Sequence, residues 1–389
     1  MKHKDAQWSC CQLGAREHYA VPRALQTRGL LRELITDLWI RPGTLPKWSN
    51  KLTGRFHPDL AGACVSASNA AAFAFELKAQ ATGLNGWELI GKRNEWFQHQ
   101  ALDQLRRRAT DLDQKSVTIF AYSYAAERIF KFARERGWRT VLGQIDPGPA
   151  EEQRIATPTP APENYWRGWR NECELADHIV VNSAWSRDAL LKEGLSAAKI
   201  RIIPLAITPS QDAAGFQRVC PRAFDAARPL RVLFLGQINR RKGVAQLLDA
   251  AHSLAGEPVE FWLVGPMQIQ ADLNHGSRIK CFGAVPRSNV DGFYREADVF
   301  ILPTLSDGFG LTQLEAQSWK LPVIASRFCG AVVQHGRNGL ILDDVSGEAI
   351  AGTLRELLRS PERVAAMSQA SRVSDEFTLE SLASSLSQL

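Results

Sequence analysis

The tightest constraint on this chain is the stretch from Asp298 to Ser326, DVFILPTLSDGFGLTQLEAQSWKLPVIAS. Val299-Phe300-Ile301-Leu302 is an unbroken apolar run, the pattern of a strand covered on both faces, and Pro303 ends it. Asp307-Gly308-Phe309-Gly310 is a glycine-bearing turn, Leu311 to Trp319 are helix formers, and Val323-Ile324-Ala325 is a second buried strand. Strand, tight loop, helix and strand make one βαβ unit and predict a parallel sheet. In such sheets a ligand sits at the carboxyl end of the strand. The loop there holds Asp307, and the helix after it holds Glu315, eight positions on. Gly308 and Gly310 let backbone approach a ligand closely. The free N–H groups at the helix start, near Leu311 and Thr312, attract an anion such as phosphate. A carboxylate deeper in the helix can accept ribose or sugar hydroxyls, so the unit predicts a nucleotide-sugar site.

The stretch resembles the E-x7-E motif of the retaining family-4 (group 1) glycosyltransferases, written roughly P-S-x-x-E-G-F-G-x-x-x-x-E-A. Here it reads Pro303-Thr304-Leu305-Ser306-Asp307-Gly308-Phe309-Gly310, then Glu315-Ala316. Asp307 replaces the family's first Glu, which keeps the charge and shortens the reach by one methylene. The resemblance implies an α/β protein of the GT-B type, with two Rossmann-like domains facing each other across a cleft. At 389 residues the chain is long for one core, which independently predicts two domains.

A second match lies at the start of the expected C-terminal domain. Arg231-Val232-Leu233-Phe234-Leu235 reads as a buried strand, followed by Gly236-Gln237-Ile238-Asn239-Arg240-Arg241-Lys242-Gly243 and a helix from Val244 to Ala255. This resembles the family's G-R-x-x-x-x-K-G diphosphate site. Lys242 matches the family Lys, Gln237 stands where Arg is commoner, and Arg241 adds a cation. A cationic loop before a helix N-terminus can clamp a diphosphate leaving group without a metal. Glu260 to Val264 and Ile279 to Phe282 read as further strands, and Gly283-Ala284-Val285-Pro286 resembles the family's nucleobase-contacting turn. Recognition there would use backbone groups, which leaves the base unread. Gly336 to Leu342 resembles the family's C-terminal turn and strand. Residues 346–389 read as helical, with a last segment expected to cross back to the first domain.

The first half is read less directly. Gly14 opens a turn before a helix expected from Ala20 to Leu30, with Val21, Ala24, Leu25 and Leu31 as its apolar stripe. Gly14 is the one position there that matches the family's acceptor-side loop, and His18 reads first as a structural residue at the helix start. Residues 41–62, with Pro42, Pro46, Trp48 and Pro58, read as a loop-rich insertion, and 63–110 as amphipathic helix. Val117 to Phe120 and Thr140 to Leu142 read as strands, with a helix from Ala125 to Arg136 between them. The family commonly carries His at the ends of these strands. Tyr122, Ser123 and Asp146 stand there instead. Asp146 is the substitute candidate, as hydrogen-bond acceptor for an acceptor hydroxyl or as a base; a turn-capping Asp before Pro147 is the competing reading. Residues 150–170 read as a proline-bearing surface loop followed by Tyr165, Trp166 and Trp169, either packing residues or a sugar-stacking or membrane-facing patch. His178 to Pro204 resembles the family's closing section of the first domain, which sets the expected boundary at 205: residues 1–205 on the acceptor side, 206–389 on the nucleotide-sugar side.

Residues 1–205 carry 29 Lys and Arg against 22 Asp and Glu, and residues 206–389 carry 18 against 19, so the formal charge of +6 resides in the first half. That suits an anionic acceptor or peripheral contact with an anionic membrane, with a solvated basic face as the plain alternative. Seven cysteines without a C-x2-C pair argue against a disulfide framework or zinc site. The polar start MKHKDAQWSC predicts no signal peptide, and no run of about eighteen apolar residues predicts a membrane span. A cytoplasmic location follows, with the inner membrane face as a variant.

The expectation is a glycosyltransferase that moves a sugar from a nucleotide-diphosphate sugar to a saccharide or lipid-linked acceptor with retention. No cofactor, metal or nucleic acid is expected. The resemblance implies catalytic roles for Asp307, Arg241 and Lys242, joined by Asp146. It implies donor contacts from Gly236, Gln237, Val285, Gly308, Phe309, Gly310, Leu311, Thr312 and Glu315, and Gly14 on the acceptor side. A nucleotide-sugar epimerase of the same fold and an inactive nucleotide-sugar-binding scaffold are the alternatives.

Overall fold

A computed structural model describes residues 7–43, 54–108, 117–270 and 278–389. Pro46 and Trp48 of the expected insertion lie outside the described residues. The apolar runs form two all-parallel sheets. In the first, β1 (Gln7–Gln12), β2 (Leu31–Thr36), β3 (Val65–Ala67), β4 (Val117–Tyr122), β5 (Arg139–Gly143), β6 (His178–Val181) and β7 (Ile200–Ile202) lie in the order β3-β2-β1-β4-β5-β6-β7. The helices between them are α1 (Ala20–Thr27), α2 (Asn69–Ala81), α3 (Gly86–Arg108), α4 (Glu127–Arg134), α5 (Pro149–Ile155), α6 (Glu163–Leu175) and α7 (Ala184–Lys192).

Residues 203–229, with the short α8 (Gln211–Ala214), join the sheets. The second sheet holds β8 (Leu230–Leu235), β9 (Val259–Val264), β10 (Arg278–Gly283), β11 (Val299–Leu302), β12 (Val323–Ser326) and β13 (Gly339–Leu342), in the order β10-β9-β8-β11-β12-β13. Its helices are α9 (Val244–Ser253), α10 (Val290–Glu296) and α11 (Thr312–Ser318). After β13 come α12 (Gly347–Arg359), α13 (Pro361–Ala370) and α14 (Leu379–Leu386). The last of these packs on the first sheet's side: Leu382, Ala383 and Leu386 share a buried cluster with Trp8, Val21, Ala24 and Leu25.

The strand orders decide where a ligand can sit. From β1 the first sheet grows outward to β2 and β3, and from β4 it grows the other way. From β8 the second grows to β9 and β10, and from β11 the other way. Helices leaving in opposite directions open a crevice at the carboxyl ends of β1 and β4, and another at those of β8 and β11. The loop holding Arg241 and Lys242 follows β8, and the Asp307 loop follows β11. Both flank one crevice.

Several expectations are corrected. The helix expected to reach Leu30 stops at Thr27, because Gly29 turns left-handed at φ +67°. Leu31 therefore belongs to strand β2 and faces the core from there. Residues 63–110 begin with strand β3 before turning helical. Tyr122 completes β4 rather than opening the loop, and α4 starts two residues late, at Glu127. The surface loop expected after Pro149 contains helix α5. His18 lies not in a helix start but in a left-handed turn, described below. All seven cysteines are free, with Cys10 and Cys11 buried in β1.

Candidate active site

The loops after β8 and β11 are locked together by backbone. The Arg241 carbonyl accepts from the Leu305 N–H at 2.8 Å and from the Thr304 hydroxyl at 3.0 Å. Gly243 ends the first loop at φ +69°, and a Cβ there would lie 1.8 Å from the Pro303 carbonyl oxygen. Only glycine permits both the angle and the approach. Clamped this way, Arg241 and Lys242 face Asp307. Lys242 Nζ ion-pairs with Asp307 Oδ2, and Arg241 lies 3.9 Å from Asp307 Oδ1 and 3.7 Å from Glu151 Oε1.

Burial alone would raise the Asp307 acid, but Lys242 and Arg241 outweigh it and hold the group below its ordinary value. Glu151 goes the other way. Burial, and then the charge of Asp146, push it up to about 7 against the opposing pull of Arg241 and the Ser306 hydroxyl. The neighbouring carboxylates Asp307, Glu151 and Asp146 outweigh burial at Arg241 and raise its guanidinium further. The result is a partly buried cluster of two cations and several acids, one of which, Glu151, is pushed up to about 7.

The first sheet closes on this cluster from the other side. Ser306 donates to Glu151 Oε2 at 2.9 Å, Trp185 Nε1 donates to Ser306 Oγ at 3.0 Å, and Arg154 Nε donates to the Leu305 carbonyl at 2.6 Å. Gly308 meets the β5 loop so tightly that a Cβ would lie 2.1 Å from the Ile145 carbonyl oxygen and 3.6 Å from the Asp146 Cα. Asp146 is thus beside the Asp307 turn. Its Oδ1 accepts from the Tyr124 hydroxyl, from the Gly148 N–H at 2.9 Å and from Gln144 Nε2 at 3.2 Å. The turn-capping role read as the alternative is present through Gly148.

Glu315 stands in a second set of contacts. Arg287 donates to its Oε1 at 3.1 Å and the Tyr294 hydroxyl to its Oε2 at 2.9 Å. Arg287 also lies 2.8 Å from His18 Nε2. Burial and the Arg287 charge bring His18 down to about 4, so its neutral ring accepts from Arg287 at pH 7. His18 is the middle of three successive left-handed residues: Glu17 at φ 52°, His18 at φ 52° and Tyr19 at φ 60°. Such a run in non-glycine residues is costly and marks a position the surroundings over-determine. The Tyr122 hydroxyl donates to Glu17 Oε2 at 2.8 Å, and burial pushes Glu17 up to about 7. A cavity of about 470 Å³ lies against this turn and Glu315, walled also by Arg23, Thr208 and Arg287.

Of the remaining candidates, Gly236 follows β8 at φ +152° and Gln237 is exposed, contacted by Asn239. Val285 packs partly on the apolar cluster of the second sheet. The Phe309 ring is buried among Leu205, Leu314, Val332 and Phe377, with Leu311 beside them, so those residues offer backbone rather than side chain to a ligand. Gly310 turns at φ +82°, and Thr312 opens α11. Gly14 sits at the end of β1, and its N–H already donates to Asp37 Oδ1 at 2.9 Å. The structure therefore gathers Arg241, Lys242, Asp307, Gly308 and Asp146, and sets Glu315 and Gly14 apart from them. Sequence reasoning missed Glu151, Glu17, Tyr124 and Arg287. For Glu151 a signal existed: Pro149 with Glu151 and Glu152 just after it is a helix-start signature.

Residues 229–360 match the family described as Glycosyl transferases group 1. A D-inositol 3-phosphate glycosyltransferase of Corynebacterium urealyticum is 30% identical over 220 residues, 50% of this chain and 51% of the relative. The chain thus spans about half the length of the curated relatives it matches. Among solved structures, sucrose-phosphate synthase from Thermosynechococcus elongatus superposes with TM-score 0.70 at 18% identity, covering 98% of both chains. HepE of Anabaena in complex with UDP does so with TM-score 0.65 at 14% identity, also over 98% of both. Residues 229–360 are thus similar to the group 1 glycosyltransferases, within a chain of the two-sheet GT-B fold.

Proposed function

We propose that this chain transfers a glycosyl group from a nucleotide-diphosphate sugar to a saccharide or lipid-linked acceptor, with retention, in polysaccharide or glycoconjugate assembly. The observation that carries this reading is the convergence of Arg241, Lys242 and Asp307 at the crevice between β8 and β11, with Asp146 against them from the first sheet. The UDP complex of the structural neighbour HepE supports a nucleotide as a ligand of this fold. Arg241 and Lys242 stabilise the charge that develops on the departing diphosphate. Both pair with Asp307, and Arg241 also with Glu151, and the diphosphate takes over those pairings. Asp307, freed from Lys242, accepts from donor-sugar hydroxyls, and Glu315 accepts from ribose once Arg287 moves aside.

In the retaining step the bond from the anomeric carbon to phosphate oxygen breaks, and the acceptor oxygen bonds to the same face. The acceptor proton passes to the departing phosphate oxygen, which leaves no charge to be discarded. With side chains supplying the cations, chelating divalent metal leaves the rate unchanged. Peripheral contact with an anionic membrane through the basic first half belongs to the same reading. Among the described residues no helix is long and apolar enough to cross a membrane.

Lys242→Ala tests the assignment. The turnover rate with a nucleotide sugar drops about 10²-fold or more, while folding by circular dichroism is retained. A rate near that of the unaltered protein would remove Lys242 from the mechanism.

A further inference from the structure

In the segment that joins the two sheets, Gln217 and Val219 face solvent, but Arg218 between them turns inward. Its guanidinium meets four backbone carbonyls. Nη1 donates to those of Arg295 at 3.0 Å and Ala297 at 2.5 Å, and Nη2 to those of Tyr294 at 2.6 Å and Trp319 at 2.8 Å. Tyr294 and Arg295 lie in the last turn of α10, and Ala297 follows it; Trp319 follows α11. The last carbonyls of a helix have no partner within it and carry the negative end of its dipole. One cation therefore caps two helices. Its planar fork holds its donors at fixed angles, which ties the two helix ends at one spacing.

The surroundings keep the fork in place. The guanidinium carbon lies 5.2 Å from the centre of the Phe216 ring, which in turn packs at 5.3 Å on the buried Trp319 ring. Burial brings the Arg218 guanidinium down to about 10, so it stays charged at neutral pH. Asp298, whose charge favours it, is itself bonded by Arg228 at 2.7 and 2.8 Å. Arg218 thus serves the helix ends rather than a carboxylate.

These are the two helices that build the setting of Glu315. Glu315 lies on α11, and α10 supplies the Tyr294 hydroxyl that donates to its Oε2 at 2.9 Å. The other group on Glu315, Arg287, is 69% exposed, whereas Tyr294 is 1% exposed. Arg287 is the partner that moves aside for a ribose in the reading above, and Tyr294 is the partner that stays. Burial pushes the Tyr294 hydroxyl well above its ordinary range, so it remains a donor. The direction in which Glu315 faces a ribose then depends on the distance between α10 and α11. Arg218 bonds the carbonyl of Tyr294 itself and that of Trp319, about one helical turn beyond Glu315.

We propose that Arg218 is a positioning residue for ribose recognition: by capping α10 and α11 together it sets the Tyr294–Glu315 hydrogen bond that aims the carboxylate at the ribose hydroxyls. It touches no substrate and acts through Glu315. The proposal rests on the nucleotide-sugar reading above and extends the site to the segment between the sheets.

The test is calorimetric titration of the full chain with UDP, GDP, ADP and TDP, each beside its 2′,3′-dideoxy form. The unaltered chain is expected to bind one nucleotide about tenfold more tightly than its dideoxy form, the worth of hydrogen bonds from ribose to a carboxylate. Arg218→Lys keeps the charge but not the fork. In that variant the ratio should fall to about twofold or less, through weaker binding of the parent nucleotide with the dideoxy affinity unchanged. Tyr294→Phe deletes one hydroxyl and leaves the cap alone, and should lower the ratio in the same way; it keeps the test decisive should the lysine variant not fold. A purely structural role for Arg218 would weaken both forms by the same factor and leave the ratio intact. That result in Arg218→Lys, an intact ratio in Tyr294→Phe, or equal binding of the two forms by the unaltered chain would each overturn the proposal while the nucleotide site stands. Binding of none of the four nucleotides would overturn the nucleotide-sugar reading and this proposal with it.

Discussion

The two crevices of this molecule are built by different means. At the second sheet the loops after β8 and β11 are set by main chain: carbonyl acceptors, helix starts, and Gly243 seated 1.8 Å (as a Cβ) from a carbonyl oxygen. At the first sheet the corresponding loops are set by side chains acting at a distance. Asp37 takes the Gly14 N–H, Glu172 takes those of Tyr124 and Ala126, and Tyr122 holds Glu17 inside a left-handed turn. Backbone-set geometry demands glycine and helix-start residues at fixed spacing, and such a pattern is visible in one dimension. Geometry set by side chains 23 to 105 positions away is not. The loops of the second sheet could therefore be matched as a motif, and those of the first could not.

The largest effect that sharpens this contrast is expected at the seam between the halves. Gly308→Ala places a methyl group 2.1 Å from the Ile145 carbonyl oxygen, so the two halves cannot meet as they do here. Turnover should fall by about 10²-fold or more, because a displacement of about 1 Å at a reacting site costs that much. The melting temperature should move little, since the change opens an interface rather than a core. Equal losses of stability and activity would mean that Gly308 serves folding alone.

Next in size is Gly243→Ala, which strikes within the second half. The added Cβ meets both a left-handed backbone angle and the Pro303 carbonyl. A loss of about 3 kcal/mol of folding stability is expected in a denaturant titration. An unchanged midpoint would show that the two loops are not clamped by backbone.

Glu151 supplies the pH prediction. Its folded value, about 7, lies above the unfolded value of 4.5, so the folded state holds the extra proton between them. Its contribution favours folding below pH 4.5 and is lost as pH rises toward 7. Glu17 adds in the same direction for the same reason. Asp307, held below its ordinary value, acts oppositely: its contribution is present above that value and lost as pH falls further. Glu151→Gln should flatten the decline in melting temperature between pH 5 and 7, and stabilise the protein at pH 8 by up to about 3 kcal/mol. A decline as steep as in the unaltered chain would show that Glu151 is not buried in this cluster.

How much of this was legible follows from the same division. The run from Asp298 to Ser326 became β11, the Asp307 turn, α11 and β12, with bounds within a few residues. Strand β3 was illegible because it has three residues, too few to show a period of two. The α1–β2 boundary was missed because Leu31 continues a helical apolar spacing, and only the φ of Gly29 breaks it. Helix α5 was read as loop on account of the prolines at 158, 160 and 162, although Pro149 marks its start. Glu315 was placed on its helix from the sequence, but its partners Arg287 and Tyr294 come from the segment after β10, which no local pattern ties to it. His18 was read as structural for a helix it does not join. Its turn is left-handed, and neighbouring residues do not announce that.

The most direct test of the central claim, a nucleotide-sugar site at the crevice between β8 and β11, is a thermal-shift panel of UDP-, GDP-, ADP- and TDP-sugars with and without a metal chelator. Ligand that binds the folded state raises the melting temperature by mass action. A rise with one nucleotide, indifferent to chelator and reduced in both Lys242→Ala and Glu315→Ala, is the predicted result and would name the base. No rise with any nucleotide, or a rise untouched by both substitutions, would contradict it.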